Sequence, residues 1–229
     1  MLVPTSLLLI VTVLLFAYVF AVRPWHTAWG ATHVDRVIKL PGDDFSKYAY
    51  QTISHAVNIQ APPEAIWPWL VQIGQDRAGF YSYTFLENLA GAEMPKVHRI
   101  VPEWQSRAAG DTVWLASRER HGDRGRMIAL IVEPQRSLTL ATPADWKLFQ
   151  AEQDGMDVTW TFALVPKPSG VTRLIARLRM MANPSAGARI VNYFFWEPVH
   201  FLMERKMLLT IKHLAETRAS ERTEPTQPR

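Results

Sequence analysis

The stretch Ala186-Gly-Ala-Arg-Ile-Val-Asn-Tyr-Phe-Phe-Trp-Glu-Pro-Val-His-Phe-Leu-Met-Glu-Arg-Lys-Met-Leu-Leu-Thr-Ile-Lys-His-Leu-Ala-Glu-Thr217 decides the fold. It reads as one C-terminal helix of about thirty residues, because Val191, Phe195, Pro198, Leu202 and Leu209 recur at steps of three, four and seven and so share a face. A second row, Glu197, His200 and Glu204, rises at the same spacing and can ionise. Pro198 has no amide hydrogen, so the helix either kinks there or restarts with Pro198 in its first turn. A helix this apolar needs a wrapping layer, and the preceding chain has to supply it.

Working outward, Tyr50–Gln60 alternates as a strand, with Ile53, Val57 and Ile59 on one face and His55 in the same inward row. Ala61-Pro-Pro-Glu opens a helix with prolines and an acid in the first turn, and Gly74 ends it. A second short helix is expected over Phe80–Ala90. Four strand-like runs follow at Thr112–Ala116, Arg126–Glu133, Ser137–Ala141 and Val158–Val165. A fifth alternates Leu174, Ala176, Leu178 and Met180 inward against Arg173, Arg177 and Arg179 outward. The charged segment after Thr217 reads as a disordered tail.

The N-terminal end carries no charge from Leu2 to Val22. About thirty ångströms of helix at that length matches the hydrocarbon core of a bilayer. A transmembrane anchor over residues 2–22 is expected; the rival, a cleaved signal peptide, lacks a basic start and an A-x-A site. Arg23, Arg36 and Lys39 follow the span, which places the soluble part in the cytoplasm as a single-pass membrane protein. Residues 23–49, broken by Pro24, Gly30, Pro41 and Gly42, read as a linker or an arm packed over the domain. The units are therefore 1–22, an anchor; 23–49, the arm; 50–217, the folded domain; and 218–229, the tail.

Composition excludes several classes. With 229 residues and no cysteine, there are no disulfides, thiolate zinc sites or cysteine nucleophiles. The net charge of +4 is spread along the chain, so no nucleic-acid stripe is formed. No Gly-x-Ser-x-Gly elbow, phosphate-cradling loop or His-Glu-x-x-His is present.

Strand, two short helices, an antiparallel run of strands and a long helix is the order of the α+β helix-grip fold. The segments Ala61-Pro-Pro-Glu-Ala-Ile-Trp-Pro-Trp-Leu-Val-Gln-Ile-Gly, Gly79-Phe-Tyr-Ser-Tyr, Leu86-Glu-Asn-Leu-Ala-Gly, Arg99-Ile-Val-Pro-Glu-Trp-Gln and Glu197-Pro-Val-His-Phe-Leu-Met-Glu-Arg-Lys-Met-Leu resemble the SRPBCC superfamily. That START-like group includes polyketide cyclases/dehydrases and lipid-transfer domains, and the likeness is to its membrane-anchored bacterial members. The resemblance implies a curved antiparallel sheet gripping the long helix around a hydrophobic cavity. It carries over no catalytic residue set.

Three functions remain open. The first is binding, and by extension transfer, of a lipophilic small molecule or lipid beside the membrane, by a monomer without metal or cofactor. Its lining would come from Trp67, Tyr81, Tyr83, Trp114, Trp160 and Phe162, with Phe195 and Leu202 from the long helix and Arg99 and Glu103 at the mouth. The second is acid–base catalysis of the cyclase/dehydrase kind by Glu197, His200 and His55. Structural roles compete with it, since Glu204 can pair with Arg205 or a sheet arginine and Glu197 can cap a restarted helix. One imidazole and one carboxylate make no metal site. The third is an interaction module that meets a partner protein through Arg173, Arg177 and Arg179.

Overall fold

A computed structural model describes residues 5–45, 49–153, 155–180 and 184–223. Strands β1 (Gln51–Ile59), β2 (Thr112–Trp114), β3 (Arg126–Glu133), β4 (Ser137–Ala141), β5 (Val158–Pro166) and β6 (Thr172–Met180) form an antiparallel sheet in the order β1-β6-β5-β4-β3-β2. Helix α1 (Thr5–Thr27) precedes them, with α2 (His33–Val37) in the arm. Helices α3 (Pro63–Val71) and α4 (Thr84–Leu89) follow β1, α5 (Arg118–His121) follows β2, and α6 (Pro143–Gln150) follows β4. Helix α7 spans residues 186–223 and closes the α+β helix-grip order. It continues to Thr223, so the tail expected over 218–229 is helical to that point and otherwise lies outside the described residues.

Strand alternation places Ile53, His55, Val57 and Ile59 on the face that meets α7, in register with Leu178, Ala176, Leu174 and Thr172 of β6. Against that face pack Ile66 and Leu70 of α3 and Leu208, Ile211 and Ala215 of α7, all buried. Unlike a sheet that leaves one face in water, this one is covered on both sides. Leu40 of the arm seals Ala56, Ala163 and Ile175 on the opposite face. Nearby, Trp146 and Phe149 of α6 close over Leu130 and Ala141. Helix α6 was not among the expected elements, although its start carries a full capping box: Thr142 accepts from the Asp145 amide at 3.1 Å and donates to the Asp145 carboxylate at 2.6 Å.

The face of α7 corrects the sequence reading. Val191, Phe195 and Leu202, expected on the core side, are exposed, and the buried line runs Glu197, Glu204, Leu208, Ile211 and Ala215. The row that looked polar is thus the inward row, continuous with the apolar residues one turn further on. A π turn over Asn192–Trp196 also breaks the 3.6-residue period through which the stripe was extrapolated. The turn sits directly before Glu197-Pro198, where the missing proline amide and its crowded ring are accommodated. Helix α1 repeats the device, with a π turn over Tyr18–Val22 before Arg23-Pro24. The second short helix is also shorter than expected, because Tyr81 takes a left-handed φ of 56° and holds residues 80–83 out of α4.

The outward arginines of β6 are not a partner surface. Arg173 reaches Asp35 at 2.7 Å, and Arg177 pairs with Asp43 while donating to the Ile38 carbonyl at 2.9 Å. Both guanidinium groups are buried under the chain's own arm, so the reading that they meet another protein is overturned. Gly30 lets the arm come this close. Its φ is +68°, and a Cβ there would lie 2.2 Å from the Ala56 carbonyl oxygen.

Two expectations follow from this packing. Leu208→Ala should cost about 2–5 kcal/mol in guanidinium unfolding, whereas Leu202→Ala should stay within about 0.5 kcal/mol; equal costs would restore the original stripe. The second concerns Asp35, whose ionisation burial opposes, yet hydrogen bonds from Arg173 and Thr32 hold it at about 2 against an ordinary 3.8. Its lowered value adds stability above pH 3.8 that is lost as pH falls toward 2. Over that interval Asp35→Asn should lose stability less steeply than the parent, as read from acid-titrated denaturation midpoints.

Candidate functional site

Between the inner sheet face and α7 lies a cavity of ≈ 200 Å³. Its wall takes Phe80, Ser82 and Glu87 from the α3–α4 region and Leu115 from the end of β2. Trp160 comes from β5, and His200, Met203, Glu204 and Met207 from successive turns of α7. Ser82 donates to the Met203 carbonyl at 2.8 Å, which pins the loop before α4 to the long helix. The left-handed Tyr81 sits between two lining residues, and strain of roughly 1–3 kcal/mol at such a position is held by its surroundings. Fully buried Gln72 does the holding: it donates to the Tyr81 phenol at 2.8 Å and to the Arg99 carbonyl at 3.0 Å, and accepts from the Val101 amide at 3.2 Å.

Glu204 is the chemical centre. One carboxylate oxygen accepts from the Trp160 indole at 2.6 Å, and the other meets Nδ1 of His55. Nε2 of His55 lies 2.7 Å from the His26 carbonyl, at the end of α1. Both ring nitrogens of His55 therefore face oxygen atoms. Burial would raise the Glu204 carboxyl, but the charges of His200 and His55 outweigh it and hold the group well below the ordinary carboxylate range. His200 stacks on His55 with ring centroids 5.9 Å apart. Its Nε2, 3.5 Å from Glu204, is buried without a hydrogen-bond partner.

Glu87 stands in the opposite condition. Burial alone pushes its carboxyl up to about 7, and one oxygen is buried with no partner in the protein. The same cavity thus presents an ionised carboxylate buttressed by two histidines and a second carboxyl that favours its neutral form.

Of the residues singled out in the sequence, His55, His200 and Trp160 converge here. Phe162 is buried beneath Trp160, ring to ring at 4.8 Å. Glu197 is elsewhere, in a bidentate pair with Arg23 at 2.9 and 3.0 Å. Tyr81 is tied to Gln72, Tyr83 sits under Lys206, and Trp114 lies below Arg118 and Arg126. Trp67 lines a separate depression of ≈ 480 Å³ with Arg107, while Arg99, Glu103, Phe195 and Leu202 are exposed. Sequence reasoning passed over Glu87, Ser82 and Met203. Only the Glu204 row carried a signal, its helical spacing from His200.

Among the described residues, His55, His200 and Glu204 bring ligand atoms within 4.8 Å of one another, the spacing a metal ion would require. The Trp160 indole already takes one Glu204 oxygen and the His26 carbonyl faces Nε2 of His55, so the other Glu204 oxygen, Nδ1 of His55 and Nε2 of His200 are the atoms left to face one another.

No family profile matches the chain, and no curated protein does. Solved structures do. A protein of Mesorhizobium loti is 19% identical, over 76% of this chain and 100% of that one, with a TM-score of 0.38. A polyketide-cyclase-like protein of Corynebacterium glutamicum is 15% identical, over 78% and 97%, with a TM-score of 0.35. The Aha1 dimer of Colwellia psychrerythraea is 15% identical, over 71% and 98%, with a TM-score of 0.37. Likeness at this level says nothing of chemistry.

The raised Glu87 carboxyl gives a pH expectation. A carboxyl raised in the fold contributes stability below its unfolded value near 4.5 that is lost as pH rises through 7. Glu87→Gln should therefore stabilise the protein at pH 8 relative to the parent and leave it nearly unchanged at pH 4. A parallel offset at both pH values would show that the side chain is solvated.

Proposed function

We propose that this protein binds a lipophilic small molecule in the cavity between sheet and α7, beside a membrane that holds it through α1. The carrying observation is the cavity itself: an apolar wall of Phe80, Leu115, Trp160, Met203 and Met207 with few polar groups, among them His200, Glu204 and Glu87. At ≈ 200 Å³ it suits a compact ligand or one end of a longer chain. The partnerless Glu87 oxygen offers that ligand one hydrogen bond.

The membrane part rests on α1, a helix of 23 residues whose most apolar 18-residue window has a mean hydropathy of 2.6, with none of that window buried. Such length and composition would also suit a signal sequence. Contacts of the apolar run itself with the domain favour retention, since Tyr18 stacks on Phe194 at 4.9 Å and its hydroxyl donates to the Tyr193 carbonyl. A removed leader would have no part in them. Arg23, Arg36 and Lys39 after the span favour a single-pass arrangement with the domain in the cytoplasm.

Acid–base turnover of that ligand is the second reading, favoured by the opposite states of Glu204 and Glu87 across one cavity. It places His200 and Glu204, buttressed by His55, in the roles first given to Glu197, His200 and His55.

Native mass spectrometry of the full chain, followed by lipid extraction, tests the binding reading. A stoichiometric apolar species is expected from the parent and at least tenfold less, about 1.4 kcal/mol, from Met203→Trp, which fills the cavity. An empty parent that also fails to bind an apolar fluorescent probe, or unchanged occupancy in Met203→Trp, would end it. Recovery of the same unaltered ligand from the parent and from Glu204→Gln would remove the enzymatic reading alone.

A further inference from the structure

The upper half of α7 has its amphipathicity inverted. Glu197 is buried, while on the outer side Val191, Phe195 and Trp196 are exposed by 52%, 54% and 57%. Beyond the cavity, α4 does the same: Phe85 and Leu89 are each 77% exposed on a helix whose Glu87 lines the wall. Large apolar side chains displayed together on both sides of a cavity mark a surface that is not meant to face water. We propose that the first half of α7 and helix α4 rest in the surface of a lipid bilayer, so that the cavity between them opens toward lipid.

Three observations choose the bilayer as the occupant. The first is continuity. The exposed segment of α7 lies against the last turns of α1, through Tyr18 on Phe194 and Arg23 on Glu197, so the depth of those turns is the depth of the segment. The second is the residue type. Trp25, 58% exposed, and Trp196 flank the junction, and an indole there keeps its ring in the apolar layer with its N–H toward water. The third is charge. Arg120 lies against Gly91 just past α4, where it pairs with Glu93 at 2.6 Å, and Arg118, Arg124 and Arg126 in the same segment leave it a net positive charge over Glu119 and Asp123, which suits anionic headgroups. A covalently anchored domain that only trailed from α1 would need none of these. The sheet supplies the direction as well. Asn192 donates to Gln51 at the start of β1, so that end of the strands is the lipid end, and the β5–β6 turn at Lys167 is the remote one.

This inference rests on the reading that α1 enters the membrane, and the experiment separates the two. The chain has no cysteine, so single variants Leu9→Cys, Leu89→Cys, Lys167→Cys and Phe195→Cys each carry one environment-sensitive fluorophore at an exposed position. The full-length protein is reconstituted in phosphatidylcholine vesicles containing phosphatidylglycerol, then challenged with nitroxide-bearing lipid and with aqueous iodide. Labels at 89 and 195 are expected to respond to nitroxide lipid and to be quenched by iodide about threefold less than the label at 167. If the label at 9 meets nitroxide lipid but those at 89 and 195 stay iodide-accessible, docking is overturned and the anchor stands. If all four remain in water, both readings fall. Shielding of 89 and 195 from iodide without lipid quenching would assign the surface to a second copy of the chain and overturn the bilayer as occupant.

Discussion

The structure hangs on one buried carboxylate. Glu204 is sealed from water, and an unpaired charge there would cost several kcal/mol, enough to cancel much of a domain's net stability. Two of its partners come from distant parts of the chain, His55 from the first strand and Trp160 from the fifth, and His200 stands one turn earlier on its own helix. His55 in turn is oriented by the carbonyl of His26 at the end of α1. Sheet, long helix and N-terminal segment therefore have to assemble together, because leaving out any one strands a charge or a polar nitrogen.

The same logic recurs around the domain. Arg173 with Asp35, Arg177 with Asp43 and Arg23 with Glu197 each join a segment before β1 to one after β5. Buried pairs of this kind add little net stability over apolar packing but punish any other arrangement. Their effect here is geometric. They fix the arm on the outer sheet face and the end of α1 on the first half of α7, so the orientation of the domain relative to α1 is set by charge pairing and not by a flexible tether.

How much of this was legible follows from the range of each interaction. Strand alternation is local, and β1, β3, β4, β5 and β6 fall where Val, Ile, Leu and Thr alternate, with His55 correctly on the inner row. The start of α7 and the irregularity next to Pro198 were equally local, whereas the helix runs on past Thr217 to Thr223. Its face was not, because a hydrophobic stripe identifies the core side only when the other side meets water. Phe195 and Leu202 are oily and outward, while Glu197 and Glu204 are charged and inward, and the partners that make this tolerable lie 174 and 149 residues away. The arginines of β6 failed for the same reason, since alternation correctly put them on the second face but could not show an arm covering it. Helix α6 was readable from Thr142-Pro-Ala-Asp145, a signal that was present and passed over.

The cavity sits at the level where α7 changes character. Below His200 the helix is conventional, with Leu208, Ile211 and Ala215 packed inward. Above it, the inward position is taken by a charge and the outward ones by aromatic rings. A helix of uniform amphipathicity would have filled this crossover with apolar side chains and left no room for chemistry. At this crossover the inward position is held by Glu204, with His200 one turn before it. Once a carboxylate must be buried at that level, its histidine and indole partners occupy the space that Leu or Phe would otherwise fill. Met203 and Met207 then close the wall with flexible thioethers, which adapt to ligands of differing shape. The ionisable groups and the apolar cavity thus meet at one level of the helix, where its buried side changes from apolar to charged.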